Sequence, residues 1–228
     1  DRAEVWPLLR VYVNEKVKMF LRFAALTYAD VATGFMNDDL KPLSQAGKSL
    51  NAEKEILKSQ RRKMTLCLRR VSPGIFMEKN TWFHLSNNMA MSMTYSLMRI
   101  NEVCKEHVDN NFRPLPVHFH ESFAVICKKI NDVLVDSEKA IETDNPHLID
   151  ALRRRCDAIK AELSQRSRDV YDHLHKGDAA NLTVDYVYLN LLQESQEFIT
   201  ALRKMLRASG KLNLAPSSYR SFSHPSTR

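Results

Sequence analysis

The sequence predicts an all-α protein built from six long antiparallel helices, and three observations carry that prediction. Glycine is scarce, five in 228 residues, while Leu and Met are plentiful, a balance that favours helix over sheet. Six segments each carry apolar residues at i, i+3/i+4 spacing, so each presents one face for burial. Short breaks rich in Pro, Asn, Asp and Gly separate them, and long helices joined by short turns pack antiparallel.

The first predicted helix runs from about Glu4 to Met36, with Pro7 tolerated in its first turn, and ends at Asn37-Asp38-Asp39. The second starts after Pro42 and runs to about Val71, where Ser72-Pro73-Gly74 breaks the chain. The third spans about Asn80 to Asp109 and stops at Asn110-Asn111, before Pro114. Its first 19 residues, Asn80 to Met98, hold no Asp, Glu, Lys or Arg, which predicts burial on most sides. Charge then arrives in Arg99, Glu102, Lys105, Glu106 and Asp109. Its apolar stripe is Leu85, Met89, Met93, Leu97, Ile100 and Cys104.

The fourth predicted helix runs from about Val117 to Glu142, with Phe123, Ile126, Ile130 and Val133 inward. Thr143-Asp144-Asn145-Pro146 reads as a stop, an N-cap and a first-turn proline. The fifth continues to about His175, with Leu148, Leu152, Cys156, Ile159 and Leu163 inward, and Lys176-Gly177-Asp178 ends it. The sixth opens near Asn181 or Thr183 and closes at Gly210, with Val184, Leu191, Phe198, Leu202 and Met205 inward. The chain divides near Pro114–Pro116 into two three-helix sets, 1–112 and 117–212. Residues 213–228 are Ser- and Pro-rich without periodicity, the composition of a disordered tail.

The net charge of +7 admits a nucleic acid, an acidic protein or an anionic membrane surface and selects none of them. No nucleic-acid module or interleaved aromatics accompany the basic runs, Arg61-Arg62-Lys63, Arg69-Arg70, Arg153-Arg154-Arg155 and Arg203-Lys204 with Arg207, so no nucleic-acid partner is expected. The four cysteines, Cys67, Cys104, Cys127 and Cys156, lie far apart, which suggests a reducing compartment. No run of about 18 apolar residues is present, so no membrane span is predicted. A chain opening on Asp1 is expected to be processed or part of a longer product. No Gly-rich phosphate loop, nucleophile elbow or His-paired nucleophile appears, and no enzyme is expected.

Acidic pairs at helical spacing are the candidate ligands. Glu102 with Glu106, and Asp132 with Asp136, each stand one turn apart on one face. Such carboxylates repel unless a cation sits between them, and together they offer oxygen ligands to a hard cation or to iron. The competing reading is a solvated face with Lys105, Lys128 and Lys129 nearby. Cys104-x-x-His107 has a zinc-like spacing with no second pair to answer it. His118-Phe119-His120-Glu121 is a further possible ligand group.

Leu97-Met98-Arg99-Ile100-Asn101-Glu102 on the third helix, inside a tandem of three-helix bundles, resembles the PhoU family of bacterial phosphate-signalling proteins. In that family the third helix of each bundle carries a Leu-Glu-Arg-Ile-Gly-Asp-like motif, part of an acidic, metal-binding cluster. Here Leu97, Arg99, Ile100 and an acid, Glu102, are kept, and Met98 replaces the first acid. On the sixth helix, Ser195 to Thr200 lies over the same motif, with Thr200 in place of the final acid. Lys105 to Asn111 with its following proline, and Tyr188 to Ala208, resemble PhoU-like cytosolic domains of bacterial phosphate transporters. Those domains follow a sodium/phosphate cotransporter or a PiT-type permease.

The resemblance covers about residues 5–212. It implies a regulatory domain on the cytoplasmic side of the inner membrane that modulates phosphate uptake by protein–protein contact. The implied partners are the membrane-embedded part of the same transporter and a second copy, with possible contact to the anionic membrane surface. It also implies a divalent or ferric metal ion at Glu102, Glu106, Asp132 and Asp136. The alternative is a free-standing helical adaptor that binds an acidic protein or a membrane surface.

Overall fold

A computed structural model describes residues 2–177 and 181–217. They form six helices: α1 Arg2–Met36, α2 Leu40–Leu68, α3 Pro73–Asp109, α4 Val117–Ala140, α5 Pro146–Lys176 and α6 Leu182–Asn213. No strand occurs among the described residues. Of the tail expected over 213–228, Asn213 closes α6, and 218–228 lie outside the described residues, as does Asp178 of the α5 stop.

Local chemistry sets most helix ends. The Asp39 side chain accepts from the Lys41 N–H at 3.1 Å, so α2 opens at Leu40 and Pro42 falls inside its first turn. The Asn145 side chain caps α5 by accepting from the His147 N–H at 3.0 Å, with Pro146 at the first helical position.

Several ends depart from the sequence reading, among them both ends of α2, which spans Leu40–Leu68 and not Leu43–Val71. Helix α3 starts at Pro73, seven residues before the expected Asn80, because proline is well suited to a first helical position. The Ser72-Pro73-Gly74 break is therefore a corner rather than a loop. Helix α6 runs past Gly210 to Asn213, since no glycine adopts a positive φ and this one does not end the helix.

Helix α3 packs most extensively on α6, and α1 packs on α2, α3 and α4. Helices α2 and α3 pair, as do α4 with α5 and α5 with α6. One large apolar cluster runs through both halves and includes Leu21, Met93, Leu97, Phe123, Ile130, Leu163 and Phe198. Every residue of the predicted α4 and α6 stripes is buried. In α3, Met93, Leu97, Ile100 and Cys104 are buried, whereas Leu85 and Met89 are only half-buried. In α5, Leu148 is exposed and Ile149 takes the inward place. The 113–116 connector is pinned by Leu115, which is buried in the same cluster.

A smaller cluster closes one end, where the start of α1, the end of α2, the start of α3 and the end of α6 meet. It contains Trp6, Leu9, Met64, Leu68, Ile75, Phe83 and Leu212. Lys79, only 1% exposed, enters this end. Its Nζ donates to the carbonyl oxygens of Lys211 at 2.7 Å and Leu214 at 2.8 Å. It thereby satisfies carbonyls that a helix C-terminus leaves open. Asn14 and Asn213 exchange side-chain hydrogen bonds of 2.8 and 3.1 Å beside it.

Candidate functional site

The α3–α6 interface brings the two motif segments together. Arg99 forks onto Glu194 of α6, its Nε donating to Oε1 and its Nη2 to Oε2, both at 3.0 Å. The Arg99 Nη2 also donates to the Ser96 hydroxyl at 3.3 Å. A two-point guanidinium–carboxylate bond fixes orientation as well as charge. Beside it lies a cavity of about 240 Å³ lined by Ser92, Tyr95, Ser96 and Arg99 from α3 and by Glu197, Thr200 and Lys204 from α6. Residues of both predicted motif stretches, 97–102 and 195–200, thus face one polar hollow.

The motif position that is glycine in the resembled family is Asn101 here, and it is buried. A Cβ added to Gly47 of α2 would come within 3.1 Å of the Asn101 Nδ2. The space that the motif glycine would leave on α3 is left instead by Gly47 on α2.

The four predicted carboxylate ligands do not form one cluster. Glu102 and Glu106 are exposed on α3. Asp132 accepts from Lys128 at 2.8 Å, and Asp136 accepts from Arg155 at 2.7 Å. The Lys128 ammonium holds the Asp132 carboxyl below the usual carboxylate range. Helix α4 packs on α1 and α5, whereas α3 packs on α1, α2 and α6, so the two pairs belong to separate layers. Among the described residues, no group of three or more His, Cys, Asp or Glu side chains could hold a metal ion.

The other metal candidates have structural surroundings. Cys104 and His107 are buried; the His107 Nε2 lies 2.8 Å from the Arg113 carbonyl, and its ring meets Phe35 and Phe112. His118 sits over Phe119, with its ring centre 5.5 Å from that of His173. His173 in turn bonds through Nδ1 to the buried Asp185 at 2.8 Å. Sequence reading passed over both Lys79 and the His173–Asp185 pair. Asp185 in the first turn of α6 was the available signal.

Cys104, Cys127 and Cys156 are free and sit in apolar surroundings, while Cys67 is free and exposed. Burial pushes the Cys127 and Cys156 thiols up to about 12, which leaves them inert as thiolate nucleophiles near neutral pH.

No family model and no curated protein matches the chain. A solved structure does: the crystal structure of the phosphate transport system regulatory protein PhoU from Streptococcus pneumoniae. It aligns at a TM-score of 0.63 with 11% sequence identity, covering 91% of this chain and 96% of that one. The fold is PhoU-like. At that identity the likeness speaks for architecture: six helices in a tandem of two three-helix bundles. No helix among the described residues is long and apolar enough to cross a membrane.

Proposed function

We propose that this chain is a regulatory domain for inorganic phosphate transport, acting by contact and not by catalysis. The observation that carries the reading is the joining of the two motif helices. Leu97 to Glu102 lies on α3, its α6 counterpart lies opposite, and Arg99, Glu197 and Thr200 line one polar hollow within a PhoU-like fold.

In its finer form, the domain belongs to a phosphate transporter and docks from the cytoplasmic side on the membrane-embedded part. A second copy is the further partner of this reading. Any divalent or ferric ion would bind the exposed Glu102–Glu106 pair, or would displace Lys128 and Arg155 from Asp132 and Asp136. A metal titration followed by the melting temperature tests that site: a rise abolished by Glu102→Gln/Glu106→Gln supports it, and no rise with any ion removes it.

The decisive experiment is uptake of radiolabelled phosphate by cells whose gene lacks the segment for residues 5–212. Altered uptake or altered response to phosphate supply supports the reading. Unchanged flux and an unchanged response would refute it. A free-standing adaptor is the second reading, and the acid-free cationic stretch at the end of α2 favours it. The full gene product distinguishes the two, since a transporter carries several hydrophobic spans of about 20 residues.

A further inference from the structure

From Ile56 to Met77 the chain runs 22 residues without an Asp or Glu, while carrying Lys58, Arg61, Arg62, Lys63, Arg69 and Arg70. Lys58 pairs with Glu55; none of the other five makes an ion pair among the described residues. The negative end of the α2 dipole accounts for Arg69 and Arg70. It does not reach Arg61, Arg62 and Lys63, two turns earlier.

The same stretch borders an apolar groove of about 590 Å³ between the start of α1 and the end of α2. Val5 and Leu9 line it, Leu8, Tyr12 and Leu66 project from it, and Lys63 and Arg70 border it. Leu8 is 72% and Leu66 60% exposed. Glu4 is the lone acid between residues 2 and 14 of α1. Large apolar side chains left in water beside unpaired cations mark an interaction surface.

We propose that this end of the molecule, formed by the first turns of α1 and the last turns of α2, docks on an anionic lipid bilayer. Leu8, Tyr12 and Leu66 enter the headgroup region, while Lys63, Arg69 and Arg70 neutralise lipid phosphates. A bilayer fits better than an acidic helix because Leu8, Tyr12 and Leu66 protrude into solvent from two helices, where they can enter a headgroup region, instead of flooring a trough that seats a helix. The inference stands apart from phosphate regulation: a domain without effect on flux would still bind vesicles.

Co-sedimentation with vesicles tests it, using phosphatidylcholine alone and equal parts phosphatidylcholine and phosphatidylglycerol. A polarity-sensitive fluorophore on the exposed Cys67, which lines the groove, reports insertion in parallel. Binding is expected on the anionic vesicles only, weakened about tenfold by Lys63→Gln/Arg69→Gln/Arg70→Gln and again by high salt. Leu8→Ser/Leu66→Ser should weaken it several-fold and abolish the blue shift at Cys67. All five positions are exposed, so the variants are expected to fold. A matched set elsewhere, Lys105→Gln/Arg113→Gln/Arg154→Gln, should leave binding within about twofold. An equal loss from that set would reduce the effect to net charge and overturn the proposal. Failure to bind either vesicle would also overturn it and would leave the groove to an acidic amphipathic helix.

Discussion

The large apolar cluster and the small one at the end of the molecule are held by different means. In the large cluster, area dominates: Phe198, Leu97, Met93 and Phe123 are fully or almost fully buried. A bond between the Tyr28 and Ser195 hydroxyls, 2.8 Å, crosses it, and burial pushes the Tyr28 phenol well above its ordinary range. The small cluster has fewer apolar groups and is threaded by polar ties. Lys79 holds the end of α6, and Asn213 bonds to Asn14 and donates to the Ile141 carbonyl at 2.8 Å. Apolar burial is non-directional. Where little of it is available, directional bonds in a low-dielectric setting must decide which helix end meets which.

Four substitutions break or sharpen that contrast. Phe198→Ala in the large cluster should cost about 3–5 kcal/mol through lost contacts and a cavity, read by urea unfolding. Lys79→Ala should cost about 3 kcal/mol, because it strips two carbonyl oxygens of a charged donor and leaves a void. It should also speed hydrogen exchange in the last turn of α6 while leaving the middle of α3 unchanged. A cost under about 1 kcal/mol would show that the end is held by area after all.

Asn14→Ala leaves the Asn213 carbonyl oxygen without its donor and should cost about 1–2 kcal/mol, measured the same way. Arg99→Gln should move stability least, by less than about 1 kcal/mol, because the Arg99–Glu194 pair is partly exposed. A large change in phosphate flux from Arg99→Gln would therefore report on function rather than on folding.

Helix number, order and inward faces were legible because buried periodicity is a strong local signal. Phe123, Ile126, Ile130 and Val133 all point where their spacing says. Leu148 failed because Ile149, next to it, suits the inward position equally well by composition. The start of α3 was misplaced because Pro73, which reads as part of the break after α2, opens α3 instead, while α2 has already ended at Leu68. That error put Lys79 outside the helix, and nothing in the sequence around it announces carbonyl partners more than 130 residues away. Of the candidate site, Arg99 and its motif were visible, but Glu194 was not. The pairing across α3 and α6 is tertiary, and only the equivalence of the two helices hinted at it. The four carboxylates were chosen by spacing along single helices, which carries no information about the layers on which they lie.

The pinned connector has a mechanical consequence. Leu115 sits in the core, α3 is seamed to α6, and α1 is seamed to α4. A body built this way has no joint at its midpoint. Bending there would have to part both seams and draw Leu115 out of the core, so neither half can swing without straining the other.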